Sequence, residues 1–281
     1  MRILITGANG QLGCDLQRTL ASHELILMDF PTFDLTKSSC EEQVASAQSD
    51  LVIHAAAYTD VDRAEHQPDL AMAVNAQGAE WVARGAARAK ARLIYISTDY
   101  VFDGAKRTPY LENDPPNPLS AYGKSKLEGE RRALAHCPNA LVVRTSWLYG
   151  THGKNFVKTM MRMATEQPEL RVVADQRGCP TNTADLAQAL AQMIRVDIRG
   201  IVHATGTGDC TWHELASAIV STMGRQTPIH PITTAEAGRR AARPSYSVLA
   251  NCLLNQSGIT LPHWRDSLVQ FVKSAAASAA A

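Results

Sequence analysis

Tyr122 and Lys126 are the residue pair in this sequence best suited to acid–base chemistry. They lie four positions apart, and on a helix that spacing places both side chains on one face, one turn apart. A free tyrosine has a pKa near ~10 and is a poor acid at neutral pH. A neighbouring ammonium favours the phenolate and lowers that pKa. The pair therefore predicts a phenol that exchanges a proton with a substrate, although the same spacing also arises by accident on solvated helices.

The segment that carries this pair has the start and stop signals of a helix. Three prolines lie just before it and prevent an earlier helix from continuing. Ser120 is a suitable N-cap residue, and Cys137-Pro138 ends the helical pattern. We therefore predict a helix between Ser120 and Cys137 that presents Tyr122 and Lys126 together.

A glycine-rich turn, Gly7-x-x-Gly10-x-x-Gly13, follows an apolar segment at residues 2–6 and opens a helical pattern. The first glycine permits a tight turn, the second lets the backbone approach phosphates, and the third allows close packing of helix on strand. The N-terminus of the helix adds partial positive charge. The pattern predicts a site for the pyrophosphate of a dinucleotide.

Asp29 ends the next predicted strand, in the position where a carboxylate accepts a hydrogen bond from a ribose hydroxyl. It favours NADH, because a 2′-phosphate would be repelled unless a cation compensated, and Phe30 rather than an arginine follows. An ordinary loop aspartate is the alternative interpretation.

Short apolar segments alternate with helical patterns along the first 150 residues. We predict buried parallel strands at residues 2–6, 25–28, 51–55, 93–96 and 141–143, and a long helical region at 70–91. This alternation predicts an α/β fold with a Rossmann-like, doubly wound parallel sheet. Ligands bind such sheets outside the carboxyl ends of the strands. The glycine-rich and polar segments all fall there, at residues 7–13, 29, 55–62, 97–100 and 145–147.

The pattern changes beyond Gly150 and predicts a smaller C-terminal substrate lobe. Helices are predicted at residues 155–164, 185–194 and 211–223, and a strand at 200–204 could rejoin the sheet. The remainder is predicted to be irregular, with an exposed basic segment at 239–244. We expect a dinucleotide-binding domain at residues 1–150 and 184–205, a substrate lobe at 151–183 and 206–273, and a low-complexity tail without assigned function at 274–281.

Composition limits the classes of function. The 281 residues include 28 basic and 27 acidic side chains, so the net charge of +1 gives no footprint for nucleic acid or an anionic membrane. No apolar run approaches ~20 residues, and no signal peptide is visible. The six cysteines form no C-x-x-C pair, which favours reduced thiols over disulfides or a zinc site. We expect a cytoplasmic protein that binds neither nucleic acid nor membrane.

Further motifs extend across the chain, and together with the glycine turn they carry a family resemblance. They are His54-Ala-Ala-Ala-Tyr-Thr-Asp-Val-Asp, Asn75-Ala-Gln-Gly, Ser97-Thr-Asp-Tyr-Val-Phe-Asp-Gly, Tyr122-Gly-Lys-Ser-Lys, Arg144-Thr-Ser-Trp-Leu-Tyr-Gly, Asp175-Gln-Arg-Gly-Cys-Pro-Thr and Arg243-Pro-Ser-Tyr-Ser. With these motifs the chain resembles an extended short-chain dehydrogenase/reductase over nearly its whole length. The motif that begins at Ser97 is much more specific than the glycine turn, which many families share.

The resemblance implies reduction of the 4-keto group of a nucleotide-linked 6-deoxyhexose, most narrowly dTDP-4-dehydro-L-rhamnose, with NADPH or NADH. Tyr122 would protonate the C4 oxygen, and Lys126 would hold the nicotinamide ribose and lower the tyrosine pKa. Thr98 would hydrogen-bond the same carbonyl. Ser97 competes for that role but is expected to face away.

The resemblance also implies two sets of binding residues. The cofactor set is Gly7, Asn9, Gly10, Gln11, Leu12, Gly13, Asp29, Asp34, Leu35, Ala55, Ala56, Ala57, Tyr58, Asn75, Tyr122 and Lys126. The substrate set is Thr59, Val61, Asp99, Tyr100, Trp147 and Arg243. A core position for Trp147 and a solvated basic loop for Arg243 are the alternative interpretations.

Some members of the resembled family hold magnesium at a dimer interface through acidic residues after the glycine turn and in a later helix. Asp15 and Asp185 are the candidates here, but Leu186 follows Asp185 and offers no second carboxylate. We therefore expect no structural metal, and a homodimer stays open.

Two other functions fit the same fold. A sugar-nucleotide epimerase would recycle its own hydride and retain its cofactor. A non-catalytic regulatory subunit of methionine adenosyltransferase is the third hypothesis, since a relative of the resembled family has that role. The presence of Thr98, Tyr122 and Lys126 argues for catalysis.

Overall fold

The computed structural model describes residues 1–280, with the side chains of residues 1–275. Its strands are β1 Arg2–Thr6, β2 Glu24–Met28, β3 Leu51–His54, β4 Arg92–Thr98, β5 Ala140–Thr145, β6 Leu148–Tyr149, β7 Leu170–Val173, β8 Arg177–Gly178, β9 Thr181–Asn182, β10 Gly200–His203, β11 Cys210–Thr211 and β12 Ile229–Ile232. Its α-helices are α1 Gln11–Thr19, α2 Ser39–Ser46, α3 Val61–His66, α4 Pro68–Met72, α5 Gly78–Arg88, α6 Ala121–His136, α7 Phe156–Glu166, α8 Thr183–Met193, α9 Trp212–Thr222, α10 Thr234–Ala237, α11 Cys252–Gln256 and α12 Trp264–Ala280.

Six strands form one parallel sheet in the order β10-β5-β4-β3-β1-β2. The predicted parallel sheet is confirmed, and the segment at 200–204 does rejoin it. The chain leaves β1 towards β2 on one side and returns to β3 on the other, so the order reverses between β1 and β3. Such a reversal opens a crevice at the carboxyl ends of the two strands, where ligands of these folds bind.

Alternating side chains of the central strands enter two apolar cores, one on each face of the sheet. Ile3 and Ile5 pack with α1 and α8 side chains such as Leu16 and Leu190. Leu4, between them, points into the opposite core, which α2, α5 and α6 cover. Because both faces are buried, these strands are continuous apolar runs, as is typical of parallel sheets.

Strand β2 is an exception to the predicted burial. It lies at one edge of the sheet, and Leu27 is 49% exposed. Apolar composition alone does not distinguish an edge strand from a central one, because the difference lies in whether a neighbour covers its outer side.

The helical region predicted at 70–91 contains two α-helices joined by a π-helical turn at Ala73–Gln77. Asn75 lies in this turn and is buried. Its side chain accepts from the Tyr58 amide at 2.8 Å and donates to the Tyr58 carbonyl oxygen and the Ser125 hydroxyl, both at 3.0 Å. The turn thus fixes the chain after β3 against helix α6. π-Helical turns are frequent at functional sites.

The C-terminal part has its own apolar core, built from α7, α9, α12 and the strand pair β7–β12. Helix α9 begins with a capping box formed by Thr211 and Glu214. The expectation that the chain is irregular beyond residue 223 is wrong, because α12 buries Trp264, Leu268 and Phe271 against this core. Residues 274–280 continue α12, and Ala281 lies outside the described residues. The division into two domains at the stated boundaries stays a prediction.

A buried ion pair joins α6 to the sheet beneath the predicted catalytic residues. Arg144 donates from Nε and Nη2 to the two carboxylate oxygens of Glu130, at 2.9 and 2.7 Å. Ser97 donates to Glu130 at 2.5 Å. Breaking a buried pair of this kind costs about 3–5 kcal/mol, because the remaining charge has no partner. The network therefore holds α6 firmly against the ends of β4 and β5.

Candidate active site

Helix α6 presents Tyr122 and Lys126 as predicted. Ser120 is the N-cap, and its hydroxyl accepts from the Gly123 amide at 3.1 Å. Gly123 lies where a Cβ would approach the Tyr100 carbonyl oxygen to 2.3 Å, so glycine permits the close contact of α6 with the turn after β4. Tyr122 and Lys126 are 9% and 2% exposed, and both line one cavity.

Lys126 is buried, and its ammonium is held at a fixed position. Nζ donates to the Ile96 carbonyl oxygen at 2.7 Å and lies 4.1 Å from the centre of the Tyr95 ring. Burial lowers the pKa of Lys126 to about 7, and the nearby Glu130 carboxylate opposes that shift. The side chain therefore titrates within the physiological range in the unliganded protein.

The pKa of Tyr122 differs from the one predicted from the sequence. Burial raises its pKa to about 12, a hydrogen bond with Thr98 opposes the rise, and the Asp99 charge adds to it. The predicted lowering by Lys126 is wrong for the unliganded protein, because desolvation of the phenolate outweighs other effects. Tyr122 is consequently a neutral phenol that carries a proton, which is the form that can donate to a carbonyl oxygen.

Thr98 ends strand β4 and lies beside Tyr122. Its hydroxyl donates to Asp99 Oδ1 at 3.1 Å and accepts from the Tyr100 amide at 3.2 Å. Ser97, the competitor, contributes to the cavity wall, whereas Thr98 does not. The Ser97 hydroxyl donates its proton to Glu130 just as the Thr98 hydroxyl donates to Asp99. Hydrogen bonding therefore does not decide between the two, and the role of Thr98 at the carbonyl stays a prediction.

The cavity that Tyr122 and Lys126 line has a volume of about 590 Å³ and lies in the crevice between β1 and β3. It brings together most of the predicted cofactor residues: Gly7, Gly10, Gln11, Leu12, Gly13, Asp29, Asp34, Leu35, Ala55, Ala56, Ala57, Tyr58, Tyr122 and Lys126. Thr59, predicted for the substrate, lies on the same wall. Asn9 and Asn75 are outside the wall. The Asn9 amide donates to Asp29 Oδ2 at 2.7 Å, and Asn75 holds Tyr58.

The glycine turn has the backbone geometry that its sequence predicts. Gly7 has a φ of 70°, and a Cβ there would lie 2.6 Å from the Ala56 amide nitrogen. A Cβ at Gly13 would lie 2.2 Å from the Gly7 carbonyl oxygen. Gly10 is the N-cap of α1 and has no side chain to satisfy the first amides of the helix. These features fit the pyrophosphate of a dinucleotide, which would accept from those amides.

A second cavity, of about 740 Å³, adjoins the C-terminal core. Tyr100 and Arg243 from the predicted substrate set line it. Its other walls supply aromatic and cationic side chains, including Phe156, Trp212, Arg171 and Arg239. Aromatic faces together with guanidinium groups suit a base or sugar linked to a diphosphate.

Arg243 is not the solvated residue of the alternative interpretation. Its Nη1 and Nη2 donate to the two carboxylate oxygens of Asp62 in α3, at 3.1 and 2.8 Å. It also hydrogen-bonds Tyr100, and its side chain is 15% exposed. Asp62 is next to Val61, which packs near Tyr122. The ion pair therefore connects the segment after α10 to the region around the first cavity.

Trp147 matches neither of its two interpretations, a substrate contact or a core position, completely. Its ring stacks on Trp212 with centroids 3.5 Å apart, and Trp212 lines the second cavity whereas Trp147 does not. The backbone of Trp147 is left-handed, with a φ of 47°, which is rare for a bulky residue and clusters at functional sites. A Cβ at Gly178 would lie 2.5 Å from the Trp147 ring, so glycine makes room for it.

Asp99 is 1% exposed and lines neither cavity. Its carboxylate is held by hydroxyl groups of Thr98 and Ser247. The predicted contact between Asp99 and the sugar stays a prediction, as do the individual roles of the other site residues.

Comparison with known proteins places this geometry in a family. The family model described as the RmlD substrate binding domain matches residues 1–277. The dTDP-4-dehydrorhamnose reductase of Sinorhizobium fredii is 41% identical over 286 residues, covering 97% of each chain. The spore coat polysaccharide biosynthesis protein SpsK of Bacillus subtilis is 40% identical, again covering 97% of each. The structure of a Bacillus anthracis dTDP-4-dehydrorhamnose reductase in complex with NADP has a TM-score of 0.94 at 42% identity, covering 97% of this chain and 99% of that one.

This chain belongs to the RmlD substrate binding domain family. The resemblance inferred from the motifs is thereby confirmed, and so is the Rossmann-like fold. The residues that match the RmlD family model include those that line the first cavity and those that line the second.

The structure also shows wall residues that motif analysis missed in this RmlD-family chain. In the first cavity they are Phe30, Phe33, Thr36, Leu70, Val74, Ile96, Leu148, Gly153 and Lys154. Lys154 is notable because it adds a cation close to the glycine turn. Its loop is tied there by Asn155, which donates to Gln11 and to the Gly150 carbonyl oxygen, both at 2.9 Å. The sequence signal that could have identified Lys154 is a lysine that follows a glycine in a polar loop.

The candidate metal ligands of the RmlD-family chain are engaged in other contacts. Asp15 accepts from Thr183 and pairs with Arg18, and Asp185 accepts from Ser267. No group of three or more His, Cys, Asp or Glu residues arranged for a metal occurs in the described part of the chain. The expected absence of a structural metal stays a prediction.

Within the described residues, no helix combines the length and apolarity needed to cross a bilayer.

Proposed function

We propose that this chain is a reductase that converts dTDP-4-dehydro-L-rhamnose to dTDP-L-rhamnose with NADPH or NADH. The observation that carries the proposal is that Tyr122 and Lys126 line the same cavity as the glycine turn. Support comes from curated dTDP-4-dehydrorhamnose reductases about 40% identical over nearly the whole chain. The NADP in the Bacillus anthracis structure supports NADPH, while Asp29 on the cavity wall keeps NADH open.

The residues of the chain supply position and a proton. A bound nicotinamide supplies the hydride. As the C–H bond forms at C4, the carbonyl electron pair moves to oxygen, and Tyr122 gives that oxygen its phenolic proton. In this proposal Thr98 would hydrogen-bond the same oxygen, and the Lys126 ammonium would favour the phenolate that remains. Solvent then returns a proton to the phenolate. The glycine turn would hold the pyrophosphate of the dinucleotide, and Asp29 would accept a hydrogen bond from a ribose hydroxyl.

The second cavity is proposed to hold the nucleotide diphosphate of the substrate. Arg243 and Arg239 would face the diphosphate, and Phe156 and Trp212 would face the base. Tyr100 lies between the cavities, since it contacts Tyr122 edge-on at 5.7 Å and also hydrogen-bonds Arg243. The keto sugar would then reach Tyr122 past Tyr100. The proposal also includes a homodimer and a cytoplasmic location.

The proposal predicts net oxidation of cofactor by one specific sugar. Purified protein mixed with NADPH and dTDP-4-dehydro-L-rhamnose should lose nicotinamide absorbance, with one product formed for each NADPH consumed. An epimerase would change the sugar without net oxidation of added cofactor, and a regulatory subunit would do neither. Either of those two results would contradict the proposed function, which the relatives favour over both alternatives.

A further inference from the structure

Three buried side chains form a hydrogen-bonded chain from the C-terminal part to the predicted catalytic hydroxyl. Ser247 donates to Asp99 Oδ2 at 2.5 Å, and Thr98 donates to Asp99 Oδ1 at 3.1 Å. Their exposed fractions are 2%, 1% and 6% for Ser247, Asp99 and Thr98. Ser247 is itself fixed, because its amide donates to the Arg177 carbonyl oxygen at 2.8 Å. The steps of the proposed reaction give the buried carboxyl group of Asp99 no role.

The hydrogen bonds of Thr98 expose a conflict with its role towards the ketone. A threonine hydroxyl has one proton and accepts through its lone pairs. One acceptor position is filled by the Tyr100 amide, and the proton is donated to Asp99. A proton that points at Asp99 cannot also stabilise the developing negative charge on the substrate oxygen. An ionised Asp99 therefore holds Thr98 in the unproductive orientation.

The surroundings of Asp99 make its neutral form accessible. Burial raises the pKa of Asp99 to about 6, and the hydrogen bonds from Ser247 and Thr98 oppose that rise. The titratable groups that interact with it are Tyr100 beside it, Tyr122 on α6 and Cys179 between β8 and β9. All three are neutral near pH 7, since the pKa of each is raised to about 12 or above. The charge on Asp99 thus lacks a cationic partner among these groups.

We propose that Asp99 is a positioning residue that sets the direction of the Thr98 proton, with Ser247 as its anchor. A protonated Asp99 donates from Oδ1 to Thr98, which frees the Thr98 proton for the ketone. Ser247 keeps donating to Oδ2, so the acidic proton of Asp99 lies on the Thr98 side. The inference deepens the proposed function and rests on it, because it concerns the same reacting oxygen.

The test compares pH profiles of kcat/KM for the intact protein and Asp99→Asn with NADPH and the keto sugar. An asparagine amide donates to Thr98 permanently, and its oxygen still accepts from Ser247. We expect wild-type kcat/KM to fall as pH rises above about 6, by up to roughly tenfold per pH unit. That limb should be absent from Asp99→Asn. The separate decline above about pH 7 that comes from loss of the Lys126 ammonium should remain in both proteins.

Ser247→Ala provides a second variant that keeps the inference testable if Asp99→Asn fails to fold. Loss of the donated hydrogen bond raises the pKa of Asp99 further, so the falling limb should move to higher pH. A purely structural role would lower activity at all pH values without moving the limb. Asp103→Asn, a carboxylate four residues further on that binds Tyr110 and Asn117, is the matched control and should leave the limb in place.

Two outcomes would overturn the inference in distinguishable ways. An unchanged pH limb in Asp99→Asn, or an unmoved limb in Ser247→Ala, would remove Asp99 from control of Thr98 while leaving the reductase assignment intact. A wild-type protein without turnover at any pH would overturn the proposed function, and this inference with it.

Discussion

Replacement of Tyr122 by phenylalanine is expected to lower kcat by ~10²–10⁴-fold, the usual contribution of a positioned general acid. The phenol is neutral, with a pKa raised to about 12, and therefore carries the proton that the C4 oxygen needs. The substitution keeps the ring, which packs among Tyr58, Val61 and Tyr100. We therefore expect the dissociation constant of NADPH to change little, as measured by fluorescence titration, while steady-state turnover nearly vanishes.

Tyr110→Phe is the matched control for loss of a phenolic hydroxyl. Tyr110 is 3% exposed and donates to Asp103 at 2.9 Å, away from both cavities. Its replacement should leave kcat near the wild-type value. Turnover in Tyr122→Phe as fast as in Tyr110→Phe would show that the proton comes from another group.

The Lys126→Met variant is expected to lose ~10²-fold or more in kcat and also to bind NADPH more weakly. Methionine replaces the aliphatic part of the lysine side chain but removes the ammonium group. That ammonium favours the phenolate and is proposed to hold the nicotinamide ribose. The ammonium is present below its pKa of about 7 and is lost as pH rises above it. Wild-type activity should therefore include a decline above that pH that Lys126→Met lacks.

Lys124→Met is the control for this change, because Lys124 lies on the same helix and is exposed. It should retain wild-type kcat, NADPH affinity and pH profile. If Lys126→Met also retained them, the ammonium would have no part in proton transfer or cofactor binding, and its hydrogen bond to Ile96 would be purely structural.

The parts of the site that depend on local patterns could be predicted from the sequence. The N-cap at Ser120 and the four-residue spacing fixed the common face of Tyr122 and Lys126, since helix geometry is set within a few residues. The left-handed φ at Gly7 follows from the requirements of one tight turn. The parallel sheet followed from the alternation of strand and helix patterns.

Features that depend on distant contacts could not be predicted in the same way. The raised pKa of Tyr122 reflects burial under several elements rather than its neighbour one turn away. The solvated interpretation of Arg243 stayed open because its partner, Asp62, lies 181 positions earlier. The anchor of Asp99 is equally remote, at Ser247. Helix α12 was missed because its apolar face is defined only by the core that it covers.

The first cavity is proposed to bring a nicotinamide and the Tyr122 phenol to the same carbonyl group. The most direct test uses NADPH with deuterium in both positions of the nicotinamide C4 and follows the label by mass spectrometry and NMR of the sugar product. We expect one deuterium bound to C4 of the product sugar, with the new hydroxyl proton taken from the protein and solvent. Product whose C4 hydrogen comes from water, or product formed with no transfer of label, would contradict it.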